Sequence, residues 1–277
     1  MVKMGTVWDR TAEFLSDNIA ALVPLALLAF FVPASIEGSF QPAMAGASTG
    51  LILTLQLVQL AFGILSLWGM LVVTAMALDD AQSDNAGKLA GQRLPAALVV
   101  SLVTFVAMLL LFLPITIALA TSGVDMLAIA QGRDFDMSTG SAGFVAIYLI
   151  VLFPLMLWLC ARLIVVLPVI VREGRWLSSI TQSWKLTRGI ALRVIGVMIL
   201  FAMVAWVSML AANMVFGSIF ALIAGGDSAG ISLSGVLTSI VVAAVQTGFT
   251  VLVPAFTTKL YLAVTAAWGL GERPAGA

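Results

Sequence analysis

Apolar positions in this chain gather into six long runs separated by short polar connectors. The runs cover residues 19–36, 51–78, 95–120, 144–171, 194–224 and 233–259, the last with an apolar tail to Leu270. A helix needs about 20 apolar residues to cross a bilayer, and each run reaches or approaches that length. Helix is the physical choice, because an open strand in lipid leaves backbone groups unpaired. The pattern predicts an all-α, polytopic integral membrane protein: one six-span domain over residues 1–277. Shorter mixed segments precede runs one, three and five. Residues 6–17 place Trp8, Phe14 and Leu15 among charges, residues 87–93 set Leu89 beside Lys88 and Arg93, and residues 176–188 carry Trp176, Ile180 and Trp184 at i, i+4, i+8. That last spacing makes one apolar stripe on a helix. These segments are expected to lie as interfacial helices in the headgroup plane. A unit of interfacial helix, outward span and returning span therefore recurs near residues 6, 87 and 176. A basic connector after every second span accounts for it without shared ancestry, which is the less favoured explanation.

Composition removes the soluble alternative. The chain is 62% hydrophobic and 9% charged, with mean hydropathy +1.15, against roughly 25% charged in a soluble domain. Histidine is absent and Cys160 is the one cysteine. That excludes a Ser-His-Asp or Cys-His site, a His-ligated metal and an internal disulfide. No paired carboxylates stand at metal-site spacing. Neither catalysis nor a cofactor or metal is expected. Thirteen basic and thirteen acidic residues cancel, so no net basic field points to nucleic acid.

The basic residues matter by position. Lys3, Arg10, Lys88, Arg93, Arg172, Arg175, Lys185, Arg188, Arg193 and Arg273 fall in one set of connectors and termini, and Arg133 alone falls in the other. The positive-inside rule places the N- and C-termini in the cytoplasm. Ala43-Met44-Ala45 has the look of a signal cleavage site. The region before it is long and holds Asp9, Glu13 and Asp17, whereas a signal n-region is short and positive; the first span is expected to be retained.

Arg172, Arg175, Lys185, Arg188 and Arg193 put five cations within 22 residues, opposed by Glu173. Each basic residue at an anionic leaflet is worth about 1 kcal/mol, so anionic phospholipid is the expected ligand, with Trp176 and Trp184 as interfacial anchors. Thr187, Arg188 and Gly189 stand where the interfacial helix stops, Gly189 supplying the turn. Arg162 lies inside the fourth run. It either snorkels past a span that Pro168 ends early, or faces the bundle interior as a functional group. Its candidate partners are Asp79, Asp80 or a lipid phosphate, which a guanidinium matches in a bidentate fork. Lys259 is expected to snorkel from the end of the sixth span, with Tyr261 and Trp268 near the interface. Gln56, Gln59, Asn213 and Gln246 sit at membrane depth, for interhelical hydrogen bonds or for a polar path. Pro24, Pro33, Pro114, Pro154 and Pro254 interrupt the runs and kink helices.

The stretch ARLIVVLPVIVREGRWLSSITQSWKLTRGIALRVIGVMIL from Ala161 resembles the bacterial glycerophosphoryl diester phosphodiesterase membrane-domain family. The Arg-led apolar segment ending in a charged pair, the short amphipathic helix and the Ser-Trp-Lys-Leu-Thr-Arg-Gly close carry the likeness. In founding members this region is a membrane module fused to a soluble catalytic barrel. These 277 residues leave no room for a barrel and hold no histidine for its chemistry. The resemblance therefore implies a stand-alone module of the bacterial inner membrane, without phosphodiesterase activity. The combined expectation is a non-catalytic module binding anionic phospholipid or a partner protein at its cytoplasmic face, in envelope homeostasis. The alternative is an uncoupled transporter or channel for a small or lipid-like solute.

Overall fold

Pro33 decides how the first apolar run folds. It has no N–H to offer the Ala29 carbonyl one turn back, and the helix widens there into a π turn over Leu27–Phe31. Ser66 on the next span donates its hydroxyl to that carbonyl at 2.9 Å, the rescue that lets proline persist in membrane helices. The first run is thus three pieces: α2 (Ile19–Ala26), the π turn and α3 (Val32–Met44). Ahead of it lies α1 (Met4–Asp17). Then follow α4 (Thr49–Leu78), α5 (Ser83–Thr121), α6 (Thr139–Leu163), α7 (Val166–Glu173), α8 (Ser178–Leu186), α9 (Ala191–Ala224) and α10 (Leu233–Ala267). The computed structural model describes residues 2–44, 48–78, 83–123, 139–224 and 233–269. Within them six helical segments are long and apolar enough to cross a membrane.

Two expected features change. Residues 87–93 are not a separate interfacial helix but the first turns of α5, which continues through Pro95. One buried stripe of Ala86, Ala90, Ala97 and Val100 runs across the proline against α4, so packing carries the helix through it. The threefold unit therefore fails at its second member. Likewise, α1 does not lie wholly among headgroups. Its Val7, Thr11 and Phe14 are buried, and the helix packs against α10.

The fourth run breaks at residues 164–165. Pro168 lies in the first turn of α7, where a missing N–H costs no helical bond. Val166, Pro168, Val169, Ile170 and Val171 are all buried, and α7 packs against α4, α5, α8 and α10. It plugs one end of the bundle. That end, the basic end, also holds α1, α8 and the described lysines and arginines. Gly174 closes α7 in the left-handed region at φ +65, and Arg93 Nη1 lies 2.5 Å from where a Cβ would stand. Gly189, at φ +88, makes the turn from α8 into α9.

Both core clusters lie at this end. One joins Phe14, Ala29, Phe30, the Leu71–Ala77 stretch of α4, the early part of α5, and Ile170. The other joins Val7, Val165, Val169, Leu186, Val194, Leu260 and Tyr261. Beyond Val100, α5 has no buried residue among those described, and Phe105, Leu109, Leu110 and Phe112 are exposed. Apolar surface on that scale is stable only against lipid or another apolar partner.

Candidate functional site

The break after α6 frees carbonyls that would otherwise bond within the helix. That of Arg162 is taken by α8: Ser183 Oγ donates to it at 2.7 Å, and Thr187 Oγ1 lies 3.3 Å away, its one proton shared with the nearer Ser183 carbonyl at 2.9 Å. Ser179, Ser183 and Thr187 are fully buried and recur every four residues. Small polar side chains at helical spacing let α8 lie close against α6, and this contact sets the position of the Arg162 side chain.

The Arg162 guanidinium lies against a pair of touching indoles. Its Cζ lies 5.3 Å from the Trp158 ring centroid and 5.4 Å from that of Trp184. The two rings meet edge-to-face at 5.0 Å, a favoured aromatic geometry. Nη1 donates to the Trp184 carbonyl at 3.3 Å, whereas Nε is buried without a hydrogen-bond partner. The described residues place no carboxylate in a salt bridge with it. Asp79 and Asp80 lie outside the described residues.

The other expected site residues spread around this centre. Arg172, Lys185, Arg188 and Arg193 are exposed. Arg175 is half-exposed and its Nε pairs with Glu173 Oε2 at 2.8 Å. Tyr261 donates to the other oxygen of Glu173 at 3.0 Å, tying the α7–α8 turn to α10. The expected stripe of inserted aromatics is not one face of lipid-facing residues. Trp176 precedes α8 and is 53% exposed, Ile180 packs against the core, and Trp184 packs on Trp158 and Arg162. The face that docks is the small polar one, because close approach and carbonyl capping outweigh aromatic insertion there.

Lys259 departs most from expectation. It does not end the sixth span, since α10 runs on to Ala267. It does not snorkel freely either: it is 7% exposed, with Nζ 5.0 Å from the Phe14 ring centroid under α1. Reading the sequence missed this because it takes α1 packing on α10 to bury the lysine. The signal available was Val7, Thr11 and Phe14 at i, i+4, i+7, a face that needs a partner. Serines and threonines four apart in 179–187 were equally visible in the sequence. Gln56, Asn213 and Gln246 are exposed and Gln59 is half-buried. An apolar groove of about 280 Å³ lies between Trp8, Ile164, Phe201 and Phe256.

The fold defines a multi-pass helical membrane protein. No protein-family model, curated protein or solved structure matches the chain.

Proposed function

We propose that this protein is a non-catalytic membrane module that binds anionic phospholipid beside Arg162 and α8, on the cytoplasmic side of a bacterial inner membrane, in support of envelope homeostasis. The cytoplasmic placement rests on the positive-inside rule, and the bacterial setting on the family resemblance. One observation carries the lipid reading. Arg162 is a half-buried cation inside a candidate membrane span; its acceptor is a neutral carbonyl, two indole rings flank it, and no carboxylate is bridged to it among the described residues. An ionisable group in a membrane protein calls for a counter-charge, and a lipid phosphodiester supplies one with the fork geometry that guanidinium prefers. The exposed Lys185 on α8 and Arg188 in the turn that follows it add attraction to an anionic leaflet.

The test is native mass spectrometry of the full chain, purified in mild detergent and offered equimolar phosphatidylglycerol and phosphatidylcholine. Retention of phosphatidylglycerol is expected to fall about tenfold in Arg162→Ala, the loss of one charge-assisted hydrogen bond. Arg162→Lys should recover only part of it, because an ammonium is a point charge without the fork. Equal retention of both lipids by the unaltered chain, or no change in Arg162→Ala, overturns the reading.

A further inference from the structure

We propose a second lipid site, independent of Arg162: the cavity between α1 and the end of α10 receives a phosphoethanolamine headgroup. The cavity measures about 510 Å³. Its back wall is Lys259, nine-tenths buried, over the Phe14 ring. Its rim is the polar side of α1, where Arg10, Glu13 and Asp17 follow at i, i+3 and i+7, one helical face. Among the described residues the lining offers two cations, Arg10 and Lys259, and two carboxylates, Glu13 and Asp17.

That balance selects the ligand's charge pattern. A headgroup with net negative charge gains at Arg10 and Lys259 but meets repulsion from Glu13 and Asp17. A zwitterion with a phosphodiester and a primary ammonium uses all four. The phosphate accepts from the two cations, and the ammonium has three N–H donors for the carboxylates. A trimethylammonium group has no donor and is recognised instead by aromatic cages. Among the described lining residues Phe14 is the single ring, and Lys259 already faces it. Ethanolamine therefore fits where choline does not.

The surroundings favour a lipid over a free ester. Asn18, which lines the cavity, is the joint between α1 and α2 and caps α1 by donating Nδ2 to the Phe14 carbonyl at 2.9 Å. From that joint Ile19, Val23 and Leu27 continue at i, i+4, i+8, exposed at 61%, 49% and 49%. An apolar stripe beginning beside a headgroup cavity gives acyl chains a surface to follow.

The experiment uses the full chain in mild detergent, offered equimolar phosphatidylethanolamine, phosphatidylcholine and phosphatidylglycerol, with bound lipid read by native mass spectrometry. Phosphatidylethanolamine retention is expected to exceed phosphatidylcholine by about tenfold, one charge-assisted hydrogen bond. Lys259→Met should reduce it. Because Lys259 is buried and that variant can misfold, Glu13→Gln with Asp17→Asn is the decisive pair. Both side chains are exposed on α1, and their neutralisation should abolish the ethanolamine preference and raise phosphatidylglycerol retention. Free phosphoethanolamine distinguishes the source. Failure to displace the lipid at millimolar concentration supports a lipid site, while displacement at equal concentration assigns the cavity to a soluble ester and overturns the lipid claim. Arg162→Ala should leave phosphatidylethanolamine bound, which separates this site from the one above. Equal retention of ethanolamine and choline lipids, or a double variant with unchanged preference, refutes the proposal.

Discussion

Gly69→Ala tests the joint between the π turn and α4. A Cβ at Gly69 would lie 2.6 Å from Ala29 Cβ and 3.0 Å from Phe30 Cζ. Both partners are buried, at 0% and 4% exposure. Carbon atoms settle at about 3.5–4.0 Å, so the helices must part by roughly 1 Å at a point where Ser66 holds them together. Overpacking of this kind costs about 1–3 kcal/mol. The intrinsic helix preference runs the other way, favouring alanine over glycine by about 1 kcal/mol. Gly63 on the same helix supplies the reference, since a Cβ there meets nothing within 4 Å. Gly63→Ala should stabilise or be neutral, and Gly69→Ala should fall below it by about 1–3 kcal/mol. The assay is unfolding of the purified full chain in mixed micelles with increasing dodecyl sulfate, read by tryptophan fluorescence; Trp68 is adjacent to the perturbed residue. Adding Ala29→Gly removes the shortest contact and leaves the far end of a phenylalanine ring, so the double variant should recover most of the gap. If Gly69→Ala unfolds at the same detergent fraction as Gly63→Ala, the close approach of α4 to the π turn is wrong.

Two further outcomes follow from the basic end. Ser183→Ala combined with Thr187→Val strips both side-chain donors from the Arg162 carbonyl. A buried acceptor left unpaired costs about 1–3 kcal/mol, so the pair should lower the unfolding midpoint, with Ser183→Ala alone giving most of the effect because its bond is the shorter; an unchanged midpoint refutes the capping role. Tyr261→Phe removes the donor to Glu173, and a loss of about 1 kcal/mol is expected. Arg175→Gln should cost less, because Arg175 is half-exposed and surface ion pairs are worth about 0–1 kcal/mol; the opposite order in the same assay would show that Arg175, not Tyr261, holds Glu173.

Span number and position were legible because lipid imposes a length and a composition on every crossing. The second apolar run, read as 51–78, is α4 at Thr49–Leu78, and the fifth, read as 194–224, is α9 at Ala191–Ala224. What escaped the sequence depends on contacts between spans. Pro33 announces a disturbed helix, but a π turn rather than a break follows from Ser66, which meets the freed carbonyl from α4. Pro95 announces a boundary, yet α5 runs through it because alanines on both sides share one buried stripe. Residues 176–188 were read by their aromatics, whereas Ser179, Ser183 and Thr187 settle the docking face by reaching a carbonyl on α6. In water that carbonyl would be solvated and the stripe would have no such claim.

These departures share a cause. Non-helical backbone at membrane depth is tolerated only where protein or a polar cavity satisfies it. In this chain the π turn and the α6–α7 break both lie within or beside the packed end, where Ser66, Ser183 and Thr187 are available as donors. The far half of α5 has no buried residue among those described, and Tyr148 ties α6 to it by donating to the Leu111 carbonyl at 2.8 Å. Among the described residues, irregular backbone, the half-buried Arg162, the buried Lys259 and dense packing therefore coincide at one end. Each requires the others: the breaks need donors, the donors need close helices, and close helices hold Arg162 and Lys259 in place. Ligand sites built from those two cations inherit the same support. A variant that loosens the packing, such as Gly69→Ala, is expected to weaken both lipid sites less than it weakens the fold, since neither Arg162 nor Lys259 touches α4 through Gly69. Loss of lipid with unchanged unfolding would contradict that ordering.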